Sequence, residues 1–465
     1  VDDADVWWVA AAGRQMIATG DVPRRNGFSF AEPQHAWVMH EWLFGAPYAW
    51  GLTALGPKFF ALVAAASFAV TGALVVAATV GRARHFAAGC VVAFVPLVLF
   101  AHPTARPTWV AIAFPAAMML VAFRASFGPL AACGGVLLEL VWANAHGSFP
   151  LGVALLGAAA WAEPVDRRRR IAATLAAGLV TLLNPYGPRL HALVVDYLFA
   201  SSGRGVGGLS PITEYAPLWD ARYFAVHSVA AVAALGTLVL LATATLRRRA
   251  HRPRAVLVLA LVPLAIAHAR FAPTLAVVAA VALLPALEEA LERTPLAAYA
   301  GSPWRPPRAV LVAAAAVVTG IAGAAFATVA SRPADAWIAP ALGGSSFLRL
   351  AAALPDRADV VTPFRSAGLV LWLTSPRGVR VFYDSRNDPY SPEMRLVGLT
   401  LLEQPPRAIV EELERRGATY ALVPSPPGVE PERRRGYDGA LATASGWSVL
   451  ARDGGWCLYA RRAAP

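Results

Sequence analysis

Long apolar runs separated by short polar connections fill most of the chain, and they fall at 57–80, 87–101, 107–123, 128–143, 149–162, 171–183, 225–246, 255–268, 271–287 and 308–330. Such runs predict helices at home in lipid, although several fall short of the ~20 residues that a lone bilayer-spanning helix needs. The shorter ones are expected to pack inside a bundle, where their Gly and Ala content suits close helix contacts. After 331 the pattern changes. "DVVTPF", "GVRVFYDS", "TYALVPS", "WSVLARD" and "WCLYARR" read as strands, with helical stretches near 345–354, 391–403, 405–416 and 435–445. In "PPRAIVEELERRG", Pro stands near the start of a helix and Gly at its end. Before the first run, "VWWVAAAGRQMIATG" reads as a helix lying along a membrane surface, with its tryptophans in the aromatic belt.

The expectation is an α-helical polytopic membrane bundle of about ten spans followed by a small soluble α/β domain. Residues 1–56 form a first outer loop with juxtamembrane helices, 57–330 the bundle and 331–465 the α/β domain. Composition strengthens this picture: 57% of residues are hydrophobic, 15% are charged and the mean hydropathy is +0.51. Soluble domains are rarely so apolar.

The net charge of +12 could suggest nucleic-acid binding, but its placement argues otherwise. Lys58 is the only lysine, and the arginines cluster in alternate connections: Arg82 and Arg84, Arg124, Arg167 to Arg170, Arg247 to Arg254, and Arg293 to Arg308. That alternation is a topological signal which puts those connections in the cytoplasm, and no nucleic-acid face is expected. Cys90, Cys133 and Cys457 have no metal-ligand spacing and predict no disulfide framework.

The opposite connections carry most of the chemistry-bearing side chains. Arg106 near His102, Asn144 and His146, Asn184 with Tyr186, Glu214 with Tyr215, Arg222, and His268 with Arg270 all fall at the ends of apolar runs. Polar groups there face a protein interior or a water-filled cavity, and arginines suit phosphate. Lipid headgroup anchoring explains any single arginine equally well. Asn184 in "NPYG" also reads as a plain turn.

The first loop holds Asp3 and Asp5, then His40 and Glu41 in "HEWL", which lacks the second His of a zinc-protease motif. Either aspartate could simply cap the helix that follows, and Glu41 could be the buried partner of an arginine such as Arg14. In "YDSRNDPY", Asp384 and Arg386 sit at the end of a strand, where α/β sheets place ligands. A structural Asp–Arg loop clamp is the alternative there.

"DDADVWWVAAAGRQMIATGDVPRRNGFSFAEPQHAWVMHEWL", "WANAHGSFPLG", "NPYG", "ITEYAP", "HARFAP" and "VFYDSRNDPY" resemble, in this order, a large group of bacterial membrane proteins classed as similar to GT-C glycosyltransferases. Those polytopic enzymes use polyprenyl-phosphate sugars as donors. The resemblance implies an acidic motif in the first outer loop, just after a first transmembrane helix and near a horizontal helix. On this chain the motif is Asp3 and Asp5, with Glu41 as a further acid. A helix would precede the motif, which makes about eleven spans in the intact protein. Val9 stands where the group has His, and Asn26 where Asp is common.

The implied protein is a multi-pass enzyme of the bacterial inner membrane, with its site and C-terminal domain outside the cytoplasm. Asp3, Asp5 and Glu41 are the catalytic candidates. Substrate-binding candidates are His40, Arg106, Asn144, His146, Glu214, Arg222, His268, Arg270, Asp384 and Arg386. Asp3 and Asp5 could also hold Mg²⁺ or Mn²⁺. The partners are membrane lipid and a lipid-linked sugar, with the acceptor open. The rival reading is a non-catalytic protein that binds, assembles or transports a lipid-linked saccharide. A lipid hydrolase is disfavoured because no G-x-S-x-G elbow is present.

Overall fold

The computed structural model describes residues 3–99, 104–198, 229–295, 344–430 and 433–462, together with positions 217, 327 and 331. The chain divides into two compact units, Val1–Leu62 with Thr328–Pro465, and Val63–Ala327. The predicted span at 308–330, Glu214 and Arg222 lie outside the described residues, apart from position 327.

The first unit is built around helix α1 (Ala4–Thr19). Asp3 caps it, its side chain accepting from the Asp5 amide, and Gly20 ends it in the left-handed region at φ 72° with its amide bonded to the Met16 carbonyl. From Val6 to Gly13 every residue of α1 is buried. Helix α2 (Trp42–Leu55) packs on one side of α1, and a helix at Phe364–Thr374 packs on the other. Trp7 meets Phe60 at the start of α3 (Lys58–Ala78), ring centroids 5.0 Å apart, and Trp8 meets Trp37 at 6.0 Å. These tryptophans sit in a protein core and do not form the expected belt. Burying each such ring contributes roughly 1.5–3 kcal/mol, enough to decide which way the helix faces.

Two glycines make these approaches possible. A Cβ on Gly13 would run into the Gly45 carbonyl of α2, and one on Gly368 would meet the Ala4 carbonyl of α1.

The C-terminal part supplies a five-stranded sheet in the order β2-β1-β3-β5-β4. Its strands are β1 (Asp359–Val361), β2 (Arg380–Val381), β3 (Tyr420–Pro424), β4 (Trp447–Asp453) and β5 (Trp456–Arg461). β1 pairs in parallel with β2 and β3, and β3, β5 and β4 are antiparallel. Gly454 and Gly455, at φ 53° and 85°, make the tight turn of the last hairpin. At the β2 edge the N-terminal loop adds a short extra rung: the Val381 amide donates to the Phe28 carbonyl at 2.9 Å and the Phe30 amide to the Val381 carbonyl at 3.1 Å. Phe30 also enters the core beneath the sheet, beside Val361, Phe382 and Tyr390.

The second unit is helical. It contains α4 (Phe86–Leu99), α5 (Val110–Ala122), α6 (Pro129–Ala145), α7 (Pro150–Ala162), α8 (Arg167–Val180), α9 (Pro188–Leu198), α10 (Val229–Thr245), α11 (Arg252–Ala267) and α12 (Ala272–Glu292). Helix α12 is its axis, almost wholly buried against α4, α5, α10 and α11. Its acidic end collects the basic connections. Arg84 pairs with Glu292 at 3.0 Å and with Glu288 at 3.4 Å, while His251 meets Glu289 at 2.8 Å. Among the described residues two helices are long and apolar enough to cross a bilayer, Lys58–Ala78 and the segment Ala269–Glu292; Pro107–Ala122, Pro129–Ala145 and Pro150–Ala162 are apolar but shorter.

The Gly13 contact gives a direct test. Gly13→Ala should cost about 1–3 kcal/mol through forced separation of α1 from α2, read as a lower melting temperature of the solubilised protein. Gly134→Ala, where an added methyl meets nothing within 4 Å, should leave it unchanged or slightly higher.

Candidate functional site

The acidic candidates of the first unit gather at the start of α1 and of α2. Asp3 accepts from the Asp5 amide at 3.0 Å, and Asp5 accepts from the Trp8 indole at 3.1 Å. Glu41 is buried at the head of α2, with His40 Nε2 at 3.6 Å from its Oε1. Tyr48 is buried on α2. Burial raises the pKa of its phenol, and the Glu41 and then the Asp3 carboxylate raise it further. Tyr48 therefore keeps its proton and can donate it in a hydrogen bond, while its ring packs against Phe59 and Phe60 at 5.5 and 6.1 Å. The chain pattern did not single out Tyr48. Its signal was its position seven residues after Glu41, two turns along the same face of a helix.

Arg14 is not the partner of Glu41. Its guanidinium lies over the Trp372 ring, 3.5 Å from the centroid, and Nη1 donates to the Trp372 carbonyl at 2.8 Å. Asp3 and Asp5 each commit one oxygen to hydrogen bonds within the first turns of α1. Among the described residues no three His, Cys, Asp or Glu side chains are grouped so as to hold a metal. Asp3 and Asp5, with no third such ligand grouped beside them among the described residues, do not compose a site for Mg²⁺ or Mn²⁺ there.

Asp384 and Arg386 form a second cluster, fully buried. Asp384 accepts from Arg386 Nε at 2.8 Å, from Nη2 at 2.6 Å, from the Arg386 amide at 3.0 Å and from the Tyr390 hydroxyl at 2.8 Å. Arg386 Nη2 also donates to Asn26 Oδ1 at 2.7 Å, and Asn26 Nδ2 donates to the Pro389 carbonyl at 2.9 Å. An aspartate at 26 could accept but not donate, so the amide is the group that serves both neighbours. The guanidinium lies over the Trp37 ring at 4.5 Å. Glu32 takes the Ser391 amide at 2.8 Å and its hydroxyl at 2.6 Å. This geometry is a clamp that binds the loop between α1 and α2 to the sheet. Burial alone works against the Arg386 charge, and the Asp384 carboxylate holds it protonated. Asp388, whose Oδ2 is buried without a partner, is pushed by burial up to about 8, against the lowering pull of Arg386.

The second unit's candidates occupy helix ends. Asn144 at the end of α6 donates to the Leu140 and Leu183 carbonyls at 2.8 and 3.1 Å. His146 is buried with Nδ1 2.9 Å from the Ser148 hydroxyl, and the Ser148 amide donates to it at 3.1 Å. Arg106 precedes a 3-10 turn at Pro107–Trp109, its amide bonded to Thr104 Oγ1 at 3.0 Å. His268 is buried at the end of α11 with its ring 6.1 Å from Phe271, and Arg270 lies in the turn Ala269–Phe271 that leads into α12. Asn144 and His146 share one turn, as do His268 and Arg270.

Among solved structures the chain is similar to the archaeal oligosaccharyltransferase AglB from Archaeoglobus fulgidus in complex with an inhibitory peptide and a dolichol-phosphate, with a TM-score of 0.55 and 11% identity, over 90% of this chain and 65% of that one. The Archaeoglobus fulgidus oligosaccharyltransferase in complex with Zn and sulfate matches at a TM-score of 0.49 and 12% identity, over 91% of this chain and 64% of that one. The chain thus spans 65% of the length of the AglB chain it matches. At such identities the likeness is one of fold, and it agrees with the resemblance of the motifs to GT-C glycosyltransferases. No protein-family profile and no curated protein matches the sequence.

Arg386→Leu strips a buried carboxylate of its counter-charge and should cost about 3–5 kcal/mol, read as a loss of thermal stability with early proteolysis of the loop between α1 and α2.

The Asp388 shift has a definite sign. Between the unfolded pKa of about 4 and the folded value, the folded state holds a proton that the unfolded chain has released, so stability falls as pH rises through that window. The melting temperature should decline from about pH 5 to about pH 9, and Asp388→Asn should flatten that decline; an unchanged slope would refute the assignment.

Proposed function

We propose that the protein is a GT-C-type membrane glycosyltransferase that moves a sugar from a polyprenyl-phosphate-linked donor to an acceptor at the extracytoplasmic face, with inversion at the anomeric carbon. The carrying observation is the placement of Asp3 and Asp5 at the head of α1 and Glu41 at the head of α2, two helices packed on each other, in a chain whose fold is similar to AglB along 90% of its length. AglB was solved with a dolichol-phosphate, a lipid of the donor class proposed here.

Asp3 or Asp5 takes the proton of the acceptor hydroxyl as general base. The acceptor oxygen then bonds to the anomeric carbon, and the bond from that carbon to the phosphate oxygen breaks, leaving its electron pair on the polyprenyl phosphate. Arg106, Arg222 or Arg270 neutralises that developing charge. Glu41 and His40 orient the base or bind the acceptor, and Tyr48 donates a hydrogen bond among the carboxylates. Asn144, His146, Glu214 and His268 take part in substrate binding. No step is routed through a metal.

In this reading the helices of 57–330 cross a bacterial inner membrane about ten times. The arginine-rich connections face the cytoplasm. Residues 1–56 and 331–465 lie outside, and the clamp of Asp384 and Arg386 holds the acid-bearing loop in place for the acceptor.

A second reading has one observation of its own. Glu139 is buried in α6 with neither carboxylate oxygen partnered, and ionisable groups inside membrane helices mark transport pathways. A non-catalytic protein that binds or transports a lipid-linked saccharide would use such a group.

Membranes carrying the intact protein, offered a panel of radiolabelled polyprenyl-phosphate sugars, separate the two. Transfer should appear with the wild type and fall about 10²–10⁴-fold in Asp3→Asn or Asp5→Asn at matched expression. Transfer that survives both substitutions would remove these aspartates from the base role. No consumption of any donor would favour the transport reading.

A further inference from the structure

A cleft of about 360 Å³ opens in the first unit beside the last turns of α1, between that helix, the loop at Gly27 and Phe28, and the turn that leads from Thr374 into β2. Its volume lies at the lower end of the range for small-molecule sites. Arg14 lies eleven residues beyond Asp3 on α1, roughly 16 Å along the helix axis.

Its electrostatics are lopsided. Two arginines line it and no acid does. Arg380 is neutralised by Asp359, which accepts from its Nε at 2.8 Å and its Nη2 at 2.9 Å. Arg14 has no carboxylate among the described residues. Its one protein hydrogen bond is from Nη1 to the Trp372 carbonyl, and stacking on the Trp372 ring fixes the plane of the guanidinium. Arg14 is half-buried, and that burial lowers its pKa. Buried Arg170, in the second unit, also lacks a carboxylate bond but donates to the carbonyls of Ala122, Arg124 and Val165. Arg14 is left with Nε and Nη2 unused, the fork that matches carboxylate or phosphate oxygens.

The other walls suit a sugar. Gln15 and Ser375 bring an amide and a hydroxyl, Phe28 and Pro376 bring apolar faces, and at Gly27 an added methyl would meet nothing within 4 Å. We propose that this cleft binds a saccharide bearing a carboxylate or phosphate group, with Arg14 holding the anion and Gln15 and Ser375 the hydroxyls. Its use as an acceptor or donor-chain subsite rests on the transferase reading; the binding itself does not.

Calorimetry on the purified full chain tests it, with glucuronic acid, glucose 6-phosphate and glucose as probes. One of the anionic sugars should bind saturably, more weakly at high salt, with glucose at least about tenfold weaker. The stronger anionic arm identifies carboxylate or phosphate. Arg14→Met should abolish that preference and Arg14→Lys should restore it in part. Ala18→Trp, at an exposed position in the cleft wall, should block binding with the Arg14 contacts intact, so it decides the matter if Arg14→Met fails to fold. Equal binding of glucose, binding untouched by Ala18→Trp, or no binding up to about 10 mM would overturn the proposal. Saccharide binding that survives Asp3→Asn while donor transfer is absent in the wild type would sink the transferase reading alone. Transfer without cleft binding would sink this inference alone.

Discussion

The buried ion pair of Arg386 and Asp384 is the constraint on which the first unit depends. It joins sequence ends more than three hundred and fifty residues apart, because Arg386 also grips Asn26. A buried pair of this kind gains little net stability over an apolar substitute, since desolvation offsets most of its attraction. Its value lies in register. Asp384 accepts four hydrogen bonds, and the loop that carries Asn26 is held where Asn26 accepts from Arg386 Nη2 and donates to the Pro389 carbonyl, with Arg386 Nη1 buried without a hydrogen-bond partner. That position sets Phe28 and Phe30 on the Val381 backbone and places Trp37 under the guanidinium. Trp37 in turn packs on Trp8, three residues from Asp5 along α1. The clamp and the acidic cluster are therefore connected through side-chain packing in a single unit.

Much of this architecture could be read from the chain. The runs at 128–143 and 149–162 correspond to α6 and α7, and all five strands lie within the stretches picked out by their β-branched and aromatic content. The helix at Phe364–Thr374 was missed. In "FRSAGLVLWLT" nearly every residue is buried because α1 covers one side and the sheet domain the other, and a short apolar run buried all round has no period to betray it. The tryptophans of α1 were misplaced for a related reason. An aromatic pair near a polar terminus looks alike whether its surroundings are lipid or protein, and only the partners Phe60 and Trp37 distinguish the two.

The candidate site was legible where chemistry is local and hidden where it is not. Asp3, Asp5 and Glu41 stood out because acids are sparse in so apolar a chain. Tyr48 did not, because its one signal, a helical spacing of seven from Glu41, counts only once α2 is known to begin at Trp42. Asp384 and Arg386 were legible as a pair, while the further bond to Asn26 depended on a loop distant in sequence. Arg14 was offered as one arginine that Glu41 could pair with, whereas its partners are a π-face and a carbonyl that charge counting does not register.

The arginines themselves show two ways of settling a guanidinium in a chain with few acids. Arg84, Arg254 and Arg380 take carboxylates, at Glu288 and Glu292, Glu163 and Asp359. Arg82 and Arg170 take the carbonyls around the end of α5, where the helix dipole favours a positive charge and the last carbonyls lack helical partners. The second solution lets basic connections bind helices together without consuming an acid. Arg386 belongs with the first group and adds the ring of Trp37. Arg14 fits neither group, having one carbonyl and one ring, and it is the guanidinium set in the wall of a cleft. A half-buried guanidinium with one carbonyl, one ring and two unused nitrogens beside an open volume is placed to take a partner that arrives from solution.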